Sequence, residues 1–370
     1  PMVGWMIYLM RLLGDSPLVL RLPTVLITFI IAFGIVDLVR RLNPQQDQSG
    51  WLAGAVYMLL PISWIGVPVT TDTPLILFMF LSGYSFLRGE ISENNGHGNQ
   101  SRWRTAGWSA LCGIFLGLAF LSKYFAVLLG VAYVISMLIR ALNDRSLAGK
   151  KIGQLALIVF FALPFVGINL FYNACNCWNN IMFNGINRHE GAHWGWENLA
   201  IYIAMMLYLL TPWLIWAIWK RRSADKRPSS LSFLIVVPLI VFLLFSLKKT
   251  IGLHWVLSFL PFLLIFVGLQ LKPNSLARQL QLTAWFSALH LVVLIWLMYA
   301  PMSMIPNEKL REGLTFLRDV KSLPSALMKD APKDTVLMAR AYTPASLLGF
   351  HYGNYVPVFG VGKFHARQDD

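Results

Sequence analysis

Long apolar runs, separated by short polar connections, repeat along the first 300 residues. Ten runs predict ten membrane-crossing helices: 22–39, 51–70, 74–87, 106–122, 124–139, 152–171, 199–219, 231–247, 252–271 and 281–300. A helix rises about 1.5 Å per residue, so about 20 apolar residues cross the hydrocarbon. Several runs are shorter than that, and their ends are set only by the first charge met. The opening stretch, Met2 to Leu13, is too short to span. Its Trp5 and Tyr8, on an apolar body ending in Arg11, suit a helix lying at the interface.

The pattern changes at Pro301. Pro306–Ser322 reads as an amphipathic helix, Thr335–Met338 as a short strand, Pro344–Tyr352 as a helix and Tyr355–Val361 as a second strand. The expected architecture is an all-α polytopic membrane domain, 1–300, followed by a partial α/β extramembrane domain, 301–370. Two strands and two helices make a marginal core, so this domain is expected to be incomplete.

Composition agrees. Of 370 residues, 56% are hydrophobic and 13% charged, against about 25% charged in an average soluble domain. That excludes a water-soluble enzyme and a disordered chain, and three cysteines exclude a disulfide scaffold. Cys175 and Cys177 sit too close in sequence for an easy bridge, and a lone CxC is a weak metal signal. No cofactor is expected, with a divalent metal left open.

A net charge of +14 would suit a nucleic-acid partner if the cations formed a water-facing patch. They do not. If the 40–50 connection is cytoplasmic, the connections on that side hold 16 Lys and Arg, and those on the other side hold 6. That is the positive-inside bias. The cluster Lys220-Arg221-Arg222 with Lys226-Arg227 is its strongest anchor.

The informative ionisable groups gather on the other, outer side. Asp72 lies in a four-residue connection ahead of Pro74. Lys123 interrupts an uncharged stretch from Thr105 to Ile139, and Tyr124 follows it. Arg188, His189, Glu190 and His193 occupy the longest outer loop, 172–198. Lys248 and Lys249 form another outer turn, with His254 after it. Each has a plainer reading: Asp72 as a helix cap, Lys123 snorkelling to headgroups, the lysine pair as interfacial anchors. Trp178, Trp194 and Trp196 fit an interface belt as well as a sugar platform. Gly113 and Gly117 form a GxxxG, usually a helix-packing motif. One acid with several cations just outside a bilayer fits chemistry on a lipid-linked phosphate. Cations stabilise the phosphate as a leaving group, and a carboxylate takes the proton of an incoming hydroxyl.

At these residues the chain resembles a known family. Thr71-Asp72-Thr73-Pro74-Leu75 and Gly117-Leu118-Ala119-Phe120-Leu121-Ser122-Lys123-Tyr124 look like the polyprenyl-phosphate-sugar transferases of the glycosyltransferase C superfamily. The similar branch holds protein O-mannosyltransferases and the lipid A aminoarabinose transferase. Arg21-Leu22-Pro23, the opening Pro1-Met2 with Trp5, and His254-Trp255 resemble further family segments in the same order. The resemblance implies a bacterial inner-membrane enzyme with a periplasmic active face. Its donor would be a polyprenyl-phosphate sugar and its acceptor a hydroxyl of lipid A, a glycan or a protein, with no nucleic acid as partner. It implies Asp72 as an accessory acid, and Lys123 and Arg188 at the donor phosphate. Tyr124, His189, Lys248, Lys249 and His254 are the remaining candidate binding residues. The family's main acid precedes the Pro-Pro segment, so it would lie upstream of Pro1. A transporter or flippase for a lipid-linked or anionic solute is the alternative, as is a lipid-binding fragment without activity. Transport favours charges at mid-span, whereas these are one-sided.

Overall fold

The structure is a computed structural model and describes residues 2–14, 16–65, 72–96, 98–178, 180–182, 194–220, 229–332 and 334–359. The chain divides into two compact units, Pro1–Cys177 with His189–Ser287, and Trp178–Arg188 with Ala288–Asp370.

The first unit is helical throughout its described residues. It opens with α1 (Met2–Arg11), whose Trp5 and Tyr8 are exposed. Ser16 caps α2 (Pro17–Leu42) by accepting from the Val19 N–H. Then come α3 (Asp47–Leu59), α4 (Pro61–Ile65), α5 (Asp72–Asn95), α6 (Asn99–Ser122), α7 (Val127–Asn143) and α8 (Ala148–Cys175). After the 183–193 segment, which lies outside the described residues, follow α9 (Trp196–Leu210), α10 (Pro212–Lys220) and α11 (Ser229–Ser246). A span made of α12 (Leu253–Val256), a 3-10 turn and α13 (Leu260–Gln270) precedes α14 (Pro273–Tyr299), which runs into the second unit.

The described parts of all ten apolar runs are helical. Among the described residues, seven helices are long and apolar enough to cross a membrane, and an eighth if one bent pair counts as a span. This is a multi-pass membrane protein. The bent pair is α9 and α10, which meet at 79°. Thr211 between them has φ 54°, and Pro212 has no N–H to continue the ladder. The run 199–219 is therefore a broken helix rather than a straight one. The run 51–70 is also divided, because Pro61 ends α3. The run 231–247 forms α11, a shorter apolar helix.

The run 74–87 differs in the other direction. Its helix continues eight residues further, to Asn95. The charges that close the apolar run are each neutralised by a neighbouring helix. Arg88 pairs with Asp37 of α2 at 3.0 Å, Glu90 pairs with Arg140 of α7, and Glu93 pairs with Lys151 of α8 at 2.5 Å. A paired charge can stay at helix depth where a lone one would be expelled.

Helix contacts are close where side chains are small. A Cβ on Gly113 or Gly117 of α6 would strike Ile158 or Phe165 of α8, so the GxxxG packs helices as expected. The same spacing recurs at Gly50 and Gly54 of α3, against Val36 and Ala32 of α2. A core through Ile31, Ile35, Met79, Phe80, Leu129, Tyr133, Phe242 and Phe262 joins these helices.

The second unit contains α15 (Glu308–Asp319), capped by Asn307, then α16 (Leu323–Met328) and α17 (Tyr342–Tyr352). Both helices expected in the tail are present within a few residues. The expected strands are not. Thr335–Met338 carries no strand, and no sheet forms among the described residues. A single parallel bridge joins Ala339 to Val358, with Ala339 donating to Pro357 and Phe359 donating to Ala339. Among the described residues, this stretch pairs only at Ala339, with the Val358 segment; 360 and 361, the end of the second expected strand, lie outside them. Val320, Ala345, Leu348, Val356 and Val358 form a small core of their own.

Candidate functional site

Two helix ends carry the centre of the site. α5 begins at Asp72, which places a carboxylate at the positive end of a helix dipole. α6 ends at Lys123, an extended C-cap residue whose N–H donates to the Ala119 carbonyl and whose ammonium suits the negative end. The two side chains meet: Lys123 Nζ donates to Asp72 Oδ1 at 2.6 Å. The carboxylate side chain is 9% exposed and the lysine 20%. Asp72 therefore does more than start a helix, and Lys123 does not simply reach for headgroups. Removing water from both partners strengthens their attraction and makes each costly to leave alone.

Asp72, though not Lys123, lines a cavity of about 320 Å³. Its polar lining comes from Thr24 and Thr28 of α2, Tyr57 of α3, Ser63 of α4, Asp72 and Thr73 of α5, and His254 of α12. Ile27, Ile76, Leu257 and Leu260 supply apolar wall. One chamber thus offers a carboxylate, hydroxyls and an imidazole beside a greasy surface. That combination can hold a sugar and an isoprenoid chain at once.

An aromatic contact ties Lys123 to the His254 segment. Lys123 Nζ lies 5.8 Å from the centre of the Phe125 ring, and Phe125 packs against Trp255 with ring centres 4.5 Å apart. Tyr124 points its hydroxyl to α8, donating to Asn169 Oδ1 at 3.2 Å. Asn173, fully buried, donates to the Asn169 carbonyl at 2.8 Å. These bonds fix the turn that presents Lys123.

Of the residues singled out in the sequence, Asp72, Lys123 and His254 come together here, with Tyr124 behind them. Lys248 instead stacks over Trp194, 5.1 Å from the ring centre, and neither Lys248 nor Lys249 lines the cavity. Arg188 and His189, with Glu190 and His193, lie outside the described residues. Among those described, no group of three His, Cys, Asp or Glu residues is placed to hold a metal ion. Sequence reasoning missed Thr24, Thr28, Tyr57 and Ser63, which look like ordinary residues of apolar helices. It also missed Asn169 and Asn173. Their spacing of four in an apolar run puts two amides on one helix face, which was a readable signal.

Residues 1–168 match the family model described as dolichyl-phosphate-mannose-protein mannosyltransferase. The matched part contains Asp72, Lys123 and Tyr124, the same residues that carried the resemblance read from the sequence. Comparison with curated protein sequences finds no match. Among solved structures, ArnT from Cupriavidus metallidurans bound to undecaprenyl phosphate superposes with a TM-score of 0.69 and 15% identity, over 98% of this chain and 76% of that one. The apo structure of the same protein gives a TM-score of 0.67 and 15% identity, over 99% and 75%. The chain has the polytopic membrane fold of those proteins.

Proposed function

We propose that this protein is an integral membrane glycosyltransferase that moves a sugar from a polyprenyl-phosphate carrier to a hydroxyl acceptor. The observation that carries the reading is the Asp72–Lys123 ion pair, whose carboxylate lines a mixed polar and apolar cavity. The match of residues 1–168 to a family of lipid-phosphate sugar transferases supports it. In the transfer, the acceptor oxygen bonds to the anomeric carbon. The bond from that carbon to the phosphate oxygen breaks, its electron pair leaves with the carrier phosphate, and the hydroxyl proton passes to a base. Lys123 supplies positive charge to the departing phosphate, together with Arg188. Asp72 holds the Lys123 ammonium in place through the ion pair. His254 and the hydroxyls of Thr24, Thr28, Tyr57 and Ser63 line the place for the sugar.

The active face is the outer one. Asp72, Lys123 and His254 sit at the ends of their helices opposite Arg41, Arg104, Arg140 and Lys151, which belong to the cation-rich side. A bacterial inner membrane fits this arrangement, with a hexose or pentose as the sugar and lipid A, a glycan or a protein as acceptor.

The test is undecaprenyl-phosphate affinity of the purified protein in nanodiscs, followed by sugar transfer from the charged carrier. Lys123→Ala should weaken carrier binding by about 1.5–3 kcal/mol, the scale of a charge-assisted hydrogen bond. Lys123→Arg should retain part of it. Wild-type binding and transfer by Lys123→Ala would overturn the reading.

A further inference from the structure

A second cavity lies at the other end of the same helices. Asp72 opens α5 at the first cavity and Arg88 stands sixteen residues along it, a rise of roughly 24 Å. There the end of α5 and the start of α6 enclose about 560 Å³, lined by Arg41, Arg88, Arg104, Ser92, Asn95 and Trp108 among others. The lining is basic and carries no carboxylate of its own.

The three arginines are not equivalent. Arg41 spends its Nε on Asp37, 2.8 Å from each carboxylate oxygen. Arg88 donates through Nη1 to Asp37 and to the Tyr84 hydroxyl, which itself donates to Asp37. Its guanidinium carbon lies 4.8 Å from the centre of the Trp108 ring and 5.5 Å from that of Tyr84. Asp37 thus locks two guanidinium groups in place while balancing only one of their charges. Among the described residues, no acceptor occupies their other N–H groups. Arg104 forms no ion pair among the described residues and is exposed. Gln100 and Ser101, also in the lining, belong to the first turn of α6, where Gly98 offers no side-chain cap. First-turn N–H groups add to the attraction for an anion.

A rigid, partly neutralised arginine pair, a free third arginine and an uncapped helix start make a site for one tetrahedral anion with several acceptor oxygens. We propose that this cavity binds a phosphate ester. A phospholipid headgroup and a soluble phosphate ester share that chemistry. The lipid source fits the depth, since the cavity sits level with the cation-rich connections, where anionic headgroups collect. The proposal does not depend on glycosyl transfer at the first cavity.

The test uses the full protein in phosphatidylcholine nanodiscs containing phosphatidylglycerol, with retained lipid counted by native mass spectrometry. Glycerol 3-phosphate is titrated separately into pure phosphatidylcholine nanodiscs. Arg104→Gln is the informative variant, because Arg104 is exposed and forms no ion pair among the described residues. Arg145→Gln, an exposed cation in the α7–α8 connection, removes equal charge elsewhere. Preferential phosphatidylglycerol retention that falls about tenfold in Arg104→Gln and holds in Arg145→Gln supports a lipid ligand. Saturable glycerol 3-phosphate binding with the same dependence, without lipid retention, supports the soluble ester. Binding of neither probe, unchanged binding in Arg104→Gln, or an equal loss in Arg145→Gln overturns the proposal.

Discussion

At the scale of single residues, the Asp72–Lys123 pair decides how the site behaves. As a cap alone, Asp72→Asn would be nearly silent, because Asn and Asp cap about equally well. The 2.6 Å contact to Lys123 changes that expectation. Asn cannot balance the ammonium, so a largely buried cation is left with half a partner. Asp72→Asn should lower stability by about 1–3 kcal/mol and reduce sugar transfer. Thermal unfolding in detergent and a transfer assay read the two effects. The charge exchange Asp72→Lys with Lys123→Asp separates them. It restores a pair, though against both helix dipoles, so stability should return in part while transfer stays low. Full transfer by the exchanged protein would make the pair structural only. The two charges were readable in the sequence because each stood alone among apolar residues. Their contact was not, since 51 positions separate them and only the packing of α5 on α6 brings the two ends together.

At the scale of helices, the hydrophobic pattern located the described helices of the first unit but set several boundaries short or straight. The misreading at 74–87 has a clear cause. Arg88, Glu90 and Glu93 look like a connection because a linear pattern cannot show that Asp37, Arg140 and Lys151 face them. The break at Thr211 was marked in advance by Pro212, and the one at Leu60 by Pro61. The pairing leads to an asymmetric prediction at α5 and α8. Lys151 is 2% exposed, so Glu93→Gln strands a buried ammonium and should cost about 3–5 kcal/mol. Lys151→Met removes the buried charge itself and should cost clearly less. Unfolding midpoints of the two variants, measured side by side, give the order; a reversed order would mean that the Glu93 pair is not what compensates the burial of Lys151. The α6–α8 contact gives a second prediction. Gly113→Val sets side-chain atoms against the backbone of Ile158, which cannot step aside cheaply. A loss of about 1–3 kcal/mol is expected, as for overpacked cores. Gly107, on the same helix with open space beside it, should accept Ala with little change.

At the scale of the whole molecule, the question is which side of the membrane holds the first cavity. Two patterns bear on it. The first is the Lys and Arg count, 16 against 6 across alternating connections. The second is the segregation of site chemistry: Asp72, Lys123 and His254 at one set of helix ends, and the arginines around Asp37 at the other. The two share the arginines near Asp37, which belong to the 16; what the second adds is that Asp72 and His254 lie at the opposite helix ends. The positive-inside rule predicts the arginine end in the cytoplasm and the Asp72 end on the outer side. The tail after α14 follows an even number of crossings from the Asp72 connection and should share its side. The tail's own cations do not decide this, because domains translocate largely regardless of charge. Single cysteines at Gly149 and at Ser322, both exposed positions, test it in a background with Cys112, Cys175 and Cys177 replaced. A membrane-impermeant maleimide added to intact cells should label the cysteine at 322 and reach the one at 149 only after lysis. The broken pair α9 and α10 is the weak step in this parity. If it turned back without crossing, every later connection would change side, and 322 would label only after lysis while 149 did the same. Labelling at 149 in intact cells would instead reverse the whole orientation and move the lipid-phosphate chemistry to the cytoplasmic face.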